Sequence, residues 1–210
     1  MPSSLVSFLD FFGIAVFAMS GALTAGNKRL DIFGVMVIAL ITCLGGGTLR
    51  DVILASHPVV WIENTSYLLV GILSAFITFI LVRSSYHVPA RMLEVCDAIG
   101  LAFFTMAGMK KTQLLGYSPE ITLIMGVMTG VAGGMIRDIV CNEIPLILHK
   151  EIYAVAAIAG GVVFLLLQYM GIASEISMIV GMLTILVLRL LGIFMGLSMP
   201  IFFINDEQNP

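Results

Sequence analysis

Charge is what this chain has least of. Of its 210 residues, 11% are Asp, Glu, Lys or Arg, against 60% hydrophobic, whereas soluble domains carry roughly 25% charged residues. A soluble fold of this length has too little interior to hide so much apolar surface, so the composition points to an integral membrane protein. The net charge is -3, and no basic cluster is dense enough to neutralise a row of phosphates, which excludes nucleic acid as a partner. Redox and metal patterns are scarce as well. Cys43, Cys96 and Cys141 form no CxxC and read as small buried hydrophobes. His57, His87 and His149 lack ligand spacing, so neither a metal nor a cofactor is expected. There is no GxSxG, HExxH or P-loop, and enzyme function is not expected. The N-terminus has no basic n-region, and Asp10 interrupts its apolar stretch, which fits a retained first span rather than a cleaved signal.

What the chain does have is long apolar runs. A spanning helix needs about 20 mostly apolar residues, and seven stretches qualify: 5–25, 31–54, 65–82, 92–109, 120–140, 151–170 and 175–198. The expected fold class is an all-α polytopic membrane protein, with seven transmembrane helices in a single membrane domain over 1–210 and a polar tail at 205–210. Pro58 and Trp61 fall in the second connection, where a tryptophan suits the interfacial belt. Lys110 and Lys111 fall in the turn after the fourth span, as a sensor in the membrane field or as lipid-headgroup contacts. Lys28, Arg29, Arg83, Arg91 and Lys150 share one side of the membrane, and Lys110 and Lys111 the other. By the positive-inside rule this puts the N-terminus outside and the C-terminus in the cytoplasm, for a multi-pass protein of the inner (plasma) membrane.

The chain also repeats itself. At a constant offset of 87, Asp10 matches Asp97, Gly13 matches Gly100, Phe17 matches Phe104, Gly21 matches Gly108 and Pro58 matches Pro145. Within the same register Gly46, Gly47, Arg50 and Asp51 return as Gly133, Gly134, Arg137 and Asp138. This is an internal duplication, with repeat one over 5–83, repeat two over 92–170 and an extra helix at 175–198. Three spans per unit is an odd number, so the second unit enters the membrane from the opposite side, giving an inverted 3+3 repeat with a pseudo-two-fold axis in the membrane plane.

The candidate site follows from that symmetry. Interior glycine costs a helix about 1 kcal/mol relative to alanine, yet Gly45, Gly46 and Gly47 stand consecutively in the second span, with Gly133 and Gly134 in the fifth. They read either as close-packing positions or as breaks whose freed carbonyls line a permeation path at the repeat interface. Gly126-xxx-Gly130 and Gly192-xxx-Gly196 read as packing faces. At 1.5 Å per residue Arg50 lies about 30 Å from the start of its helix, and Arg137 takes the equivalent place at the other mouth. The expected path is an hourglass with a charged pair near each end. Arg50–Asp51 and Arg137–Asp138 are either interfacial anchors or pore charges. Neighbouring helix positions point about 100° apart, so each residue is expected to find partners on other helices, such as carboxylates of the opposite repeat, rather than its neighbour. Asp10 and Asp97 are either favourable charges at helix N-termini or cation-attracting and proton-relaying groups.

Seven spans, a 3+3 repeat, GGGTLRD in the second helix and GGMIRD in the fifth resemble the prokaryotic trimeric intracellular cation (TRIC) channels, a family whose sequences are also labelled glycine transporters or uncharacterised membrane proteins. The resemblance implies a homotrimer in membrane lipid. Each protomer would carry a pore for monovalent cations, K⁺ and Na⁺, lined by glycine-kinked helices two and five with helices one and four. Ala132 stands where a third glycine would match Gly45. The alternative function is a secondary transporter of a small amino acid such as glycine, since inverted repeats are common among transporters.

Overall fold

A computed structural model describes residues 4–84, 88–148 and 152–196, with side chains from Asp10 onward. His87, His149, Lys150, the last residues of the expected seventh span and the polar tail lie outside the described residues. Among the described residues seven long helices form: α1 (Ser4–Asn27), α2 (Ile32–Ile53), α3 (Ser66–Arg83), α4 (Met92–Leu114), α5 (Pro119–Val140), α6 (Ala154–Tyr169) and α7 (Ser174–Met195). Short helical turns at Val60–Glu63 and Leu146–Leu148 follow α2 and α5. Among the described residues there is no strand. Among the described residues five helices (α2, α3, α4, α5 and α7) are long and apolar enough to cross a membrane; α6, with 16 residues, is shorter.

Local chemistry explains most of the helix boundaries. Asp31 caps α2 by accepting a hydrogen bond from the Gly34 amide at 2.8 Å. Pro119 opens α5, where a missing N–H costs nothing. Gly196 ends α7 in the left-handed conformation, φ 68°. The expectation that Gly196 belongs to a packing face is therefore corrected: its freedom is used to stop the helix. α4 runs five residues further than expected. Its last turns carry Lys110, Lys111, Thr112 and Gln113, good-to-fair helix formers, and cationic side chains are favourable near a helix C-terminus. Lys110 and Lys111 are thus helical, not turn residues.

The repeats appear as two cores. One gathers Ile14, Phe17, Ala39 and Cys43 of α1 and α2 with Ala75 of α3. The other gathers Leu101, Met106, Val131 and Phe164 with Ile185 of α7. They meet where α2 packs on α5 and α1 packs on α4. The connections repeat in detail: Ala55 and Asn142, 87 residues apart, both take positive φ (50° and 52°). The Ser56 amide bonds the Asp51 carbonyl at 2.9 Å, as Glu143 bonds Asp138 at 2.8 Å. α7, outside the repeat, packs on α4 and α6, with the Gly160 and Gly181 backbones in close approach. Outward faces stay apolar, as at Leu69, Leu73 and Ile77 of α3 and Leu183 and Val187 of α7, suiting lipid or another subunit. All three cysteines are free and buried.

Candidate functional site

The glycine blocks lie where α2 and α5 cross, and both helices remain α-helical throughout. The expected interruption is corrected: α-helix continues through Gly45–Gly47 and Gly133–Gly134. Glycine is needed here for approach. A Cβ on Gly46 would lie 2.2 Å from the Thr129 carbonyl oxygen, and one on Gly133 would lie 2.3 Å from that of Thr42. Thr42 and Thr129 are themselves 87 apart, so the contact is reciprocal about the pseudo-two-fold axis. Their hydroxyls fold back on the carbonyls of Ile38 and Met125, leaving the crossing face to main chain. Phe17 and Phe104, another related pair, stack with centroids 5.1 Å apart.

The arginine–aspartate pairs do bond within themselves, contrary to the expectation from helix geometry. Arg50 Nε and Nη2 lie 2.9 and 2.8 Å from Asp51 Oδ1, and Arg137 Nε lies 2.8 Å from Asp138 Oδ1. The Cβ directions diverge, but the guanidinium is long enough to wrap around the helix. All four residues are at most 5% exposed, where leaving a charge unpaired costs several kcal/mol. This burial also rules out headgroup anchoring. Each aspartate accepts a backbone N–H from the next turn: Val60 to Asp51 Oδ2 and Leu146 to Asp138 Oδ2, both at 3.1 Å.

Partners on other helices differ between the two ends. Lys111 Nζ of α4 lies 2.8 Å from Asp51 Oδ1, a bond across the repeats. Arg137 Nη1 lies 2.8 Å from Asp97 Oδ1, within repeat two, and 2.7 Å from Ser20 Oγ, in repeat one. Asp97 is therefore the counter-ion of Arg137, not a free cation-attracting group, and neither Asp10 nor Asp97 is in a first helical turn. Asp10, the repeat mate of Asp97, makes no ion pair with Arg50 among the described residues. Instead Asp10, Arg50, Lys110 and Lys111 line a cavity of about 230 Å³ with Gly47, Thr48, Trp61, Tyr67 and Phe104. Trp61, expected at the lipid interface, donates to Thr48 Oγ1 at 3.0 Å and walls this cavity. Lys110 bonds Ser174 Oγ at the start of α7, at 2.6 Å.

The expected symmetric hourglass is thus asymmetric. At the Arg50 end, Gly47 borders a cavity. At the Arg137 end, Gly134 faces Asp97 and the hydroxyl of Tyr153, and Arg137 and Asp97 are fully buried. Sequence reasoning misses Tyr153 and Ser20, and leaves Arg189 as a residue that snorkels to the cytoplasm or bonds at a subunit interface, whereas it is buried inside the protomer over the Tyr153 ring. The intramembrane position of Arg189 singles it out; nothing in the sequence marks the other two. Among the described residues no cluster could hold a metal.

Lys111→Met leaves Asp51 with Arg50 and the Val60 amide. Lys111 is 26% exposed and Asp51 is buried, and Asp51 keeps its other partners, so unfolding in detergent is expected to show a loss of about 1 kcal/mol, and a markedly larger loss from Asp51→Asn.

The comparisons agree with this architecture. The glycine transporter family model matches the chain twice, over 7–83 and 94–169, one match per repeat. A UPF0126 membrane protein of Vibrio cholerae is 44% identical over 96% of this chain and 84% of its own length. The UPF0126 inner membrane protein YadS of Escherichia coli is 43% identical over 97% and 99%. Among solved structures, the TRIC trimeric intracellular cation channel orthologue from Rhodobacter sphaeroides superposes with a TM-score of 0.87 at 35% identity, covering 93% of this chain and all of that one. A second TRIC cation channel gives 0.85 at 32% identity, covering 95% and 98%. The chain is a member of this membrane-protein family, known under both the glycine-transporter and UPF0126 labels, and it has the fold of the TRIC channels.

Proposed function

We propose that the protein is a monovalent-cation channel, passing K⁺ and Na⁺ through a separate path in each protomer of a homotrimer in the cell's inner membrane. The observation that carries this reading is the near-complete superposition on TRIC cation channels at 35% identity. The site geometry supports it. The path would enter at the Arg50 cavity, run between α2 and α5 beside the Gly46–Gly133 crossing, and leave past Arg137 and Asp97. The cavity and its edge carry Arg50, Lys110 and Lys111 against Asp10 and Asp51. Neither a nucleophile–base pair nor a metal cluster serves this reading, and enzymatic activity forms no part of it. The cavity would face outside and the Arg137 end the cytoplasm. Lys28, Arg29, Arg83 and Arg91 lie on the latter side, and the lysines opposite are engaged by Asp51 and Ser174.

Single-channel recording of purified protein in planar bilayers tests the reading. Discrete K⁺ currents, reduced or lost on charge reversal at Arg50, are the expected result. Silence in bilayers, together with saturable glycine uptake by the same preparation in liposomes, would instead establish the transporter.

A further inference from the structure

The geometry points to Tyr153 as the side chain that closes the pathway at the Arg137 end, with Arg189 of α7 as the residue that positions it. The inference rests on the channel reading, but its test needs no current.

Pseudo-symmetry identifies Tyr153. Gly47 and Gly134 are repeat mates, yet a Cβ on Gly47 would meet only Arg50 Nη2, at 3.9 Å, and Gly47 lines the open cavity. A Cβ on Gly134 would meet Asp97 Oδ1 at 3.1 Å, the Tyr153 hydroxyl at 3.2 Å and Arg137 Nη2 at 3.5 Å. At the same offset of 87, the counterpart of Tyr153 is Ser66, which has no ring. The fully packed end therefore holds a ring at a position where the open end has none, and the ring next to Ser66, Tyr67, lines the open cavity instead of filling it. Tyr153 is 2% exposed and is the N-cap of α6, its carbonyl accepting the Ala157 amide at 3.4 Å, so its ring stands at the entrance of the helix.

Arg189 explains why the ring stays. A charge in the middle of an apolar helix needs partners. Its guanidinium stands 4.6 Å above the Tyr153 ring centroid, and Nη1 bonds the carbonyl of Ile152 at 3.4 Å, one residue before. Ring face and backbone are held together. Next to the ring, Asp97 Oδ2 and Arg137 Nη2 are buried without hydrogen-bond partners among the described residues. Water admitted by withdrawal of the ring would solvate both. Because Arg189 belongs to the helix outside the repeat, α7 supplies the asymmetry between the two ends.

The test is thiol accessibility. Ser20, buried against Arg137, is replaced by Ser20→Cys in a protein with Cys43→Ala, Cys96→Ala and Cys141→Ala, and a charged methanethiosulfonate is applied in detergent. Tyr153→Ser is expected to raise the labelling rate at position 20 about tenfold, by making local opening easier. Tyr153→Phe, which keeps the ring, is expected to stay within about twofold of the parent, and Arg189→Leu to raise the rate several-fold with Arg189→Lys restoring most of the protection. Size-exclusion chromatography and melting establish that each variant is folded. A folded Tyr153→Ser protein as protected as its parent overturns the inference, and so does a Tyr153→Phe protein that opens as far as Tyr153→Ser. If Tyr153→Ser does not fold, a folded Arg189→Leu protein with unchanged labelling overturns it. Raised labelling in a protein that never passes K⁺ defeats the channel reading and leaves the plug standing.

Discussion

Gly46→Ala is expected to destabilise the protein by about 2 kcal/mol or more, while Gly47→Ala, one residue away, leaves stability unchanged or improves it. Both substitutions gain up to about 1 kcal/mol of helix propensity. At Gly47 that gain is uncontested, because the new Cβ meets only the end of Arg50, at 3.9 Å. At Gly46 the Cβ would stand 2.2 Å from the Thr129 carbonyl oxygen, a main-chain atom that cannot rotate away, so α2 and α5 must separate. Overpacking of a tight contact costs about 1–3 kcal/mol and occasionally more. Gly133→Ala should behave like Gly46→Ala, from its 2.3 Å approach to the Thr42 carbonyl. The double substitution should cost less than the sum, since helices already parted for one Cβ have made room for the other. Thermal melts of the four proteins in one detergent give all these comparisons. Equal effects at Gly46 and Gly47 would remove the crossing as the reason for the glycines.

Removing Arg137 is expected to be the more severe of the two arginine losses. Arg137→Met strands two buried carboxylates, Asp97 and Asp138, leaves Asp138 the Leu146 amide, and removes the donor to Ser20 Oγ. Loss of one partner from a buried ion pair costs about 3–5 kcal/mol. Arg50→Met strands one carboxylate, and Asp51 keeps Lys111 Nζ at 2.8 Å beside a cavity. Its cost should therefore be well below that of Arg137→Met. Arg137→Met/Asp97→Asn should recover part of the single-mutant loss, because it removes one of the stranded charges. Denaturant unfolding of the three proteins measures this, and comparable losses at Arg50 and Arg137 would contradict the asymmetry between the two ends.

Much of this was legible in the chain. Seven apolar runs gave seven long helices, and the Gly46–Gly133 crossing pairs residues that share the offset of 87. Glycine, proline and aspartate at fixed spacing mark backbone geometry, which periodicity preserves. What the glycines do was not legible. Three in a row fit a break as well as a close crossing, and only the Thr129 and Thr42 carbonyls opposite decide between them. The bonds inside Arg50–Asp51 and Arg137–Asp138 were misjudged because helix-face arithmetic follows Cβ directions and ignores how far a guanidinium reaches when burial leaves it few other partners. The difference between the ends was hidden for another reason. It comes from residues that the repeat does not share: Ser20 against Ala107, Tyr153 against Ser66, and Arg189 on a helix without a counterpart. A repeat-based reading looks for what matches.

Two sequence-related ends flank the α2–α5 crossing, an open cavity at Gly47 and a packed end at Gly134. Labelling of Gly47→Cys and Gly134→Cys in the cysteine-free protein by a charged thiol reagent tests this difference most directly. Labelling is expected to be about a hundredfold faster at position 47, equivalent to about 2.7 kcal/mol of opening free energy at position 134. Equal rates at the two positions would contradict it.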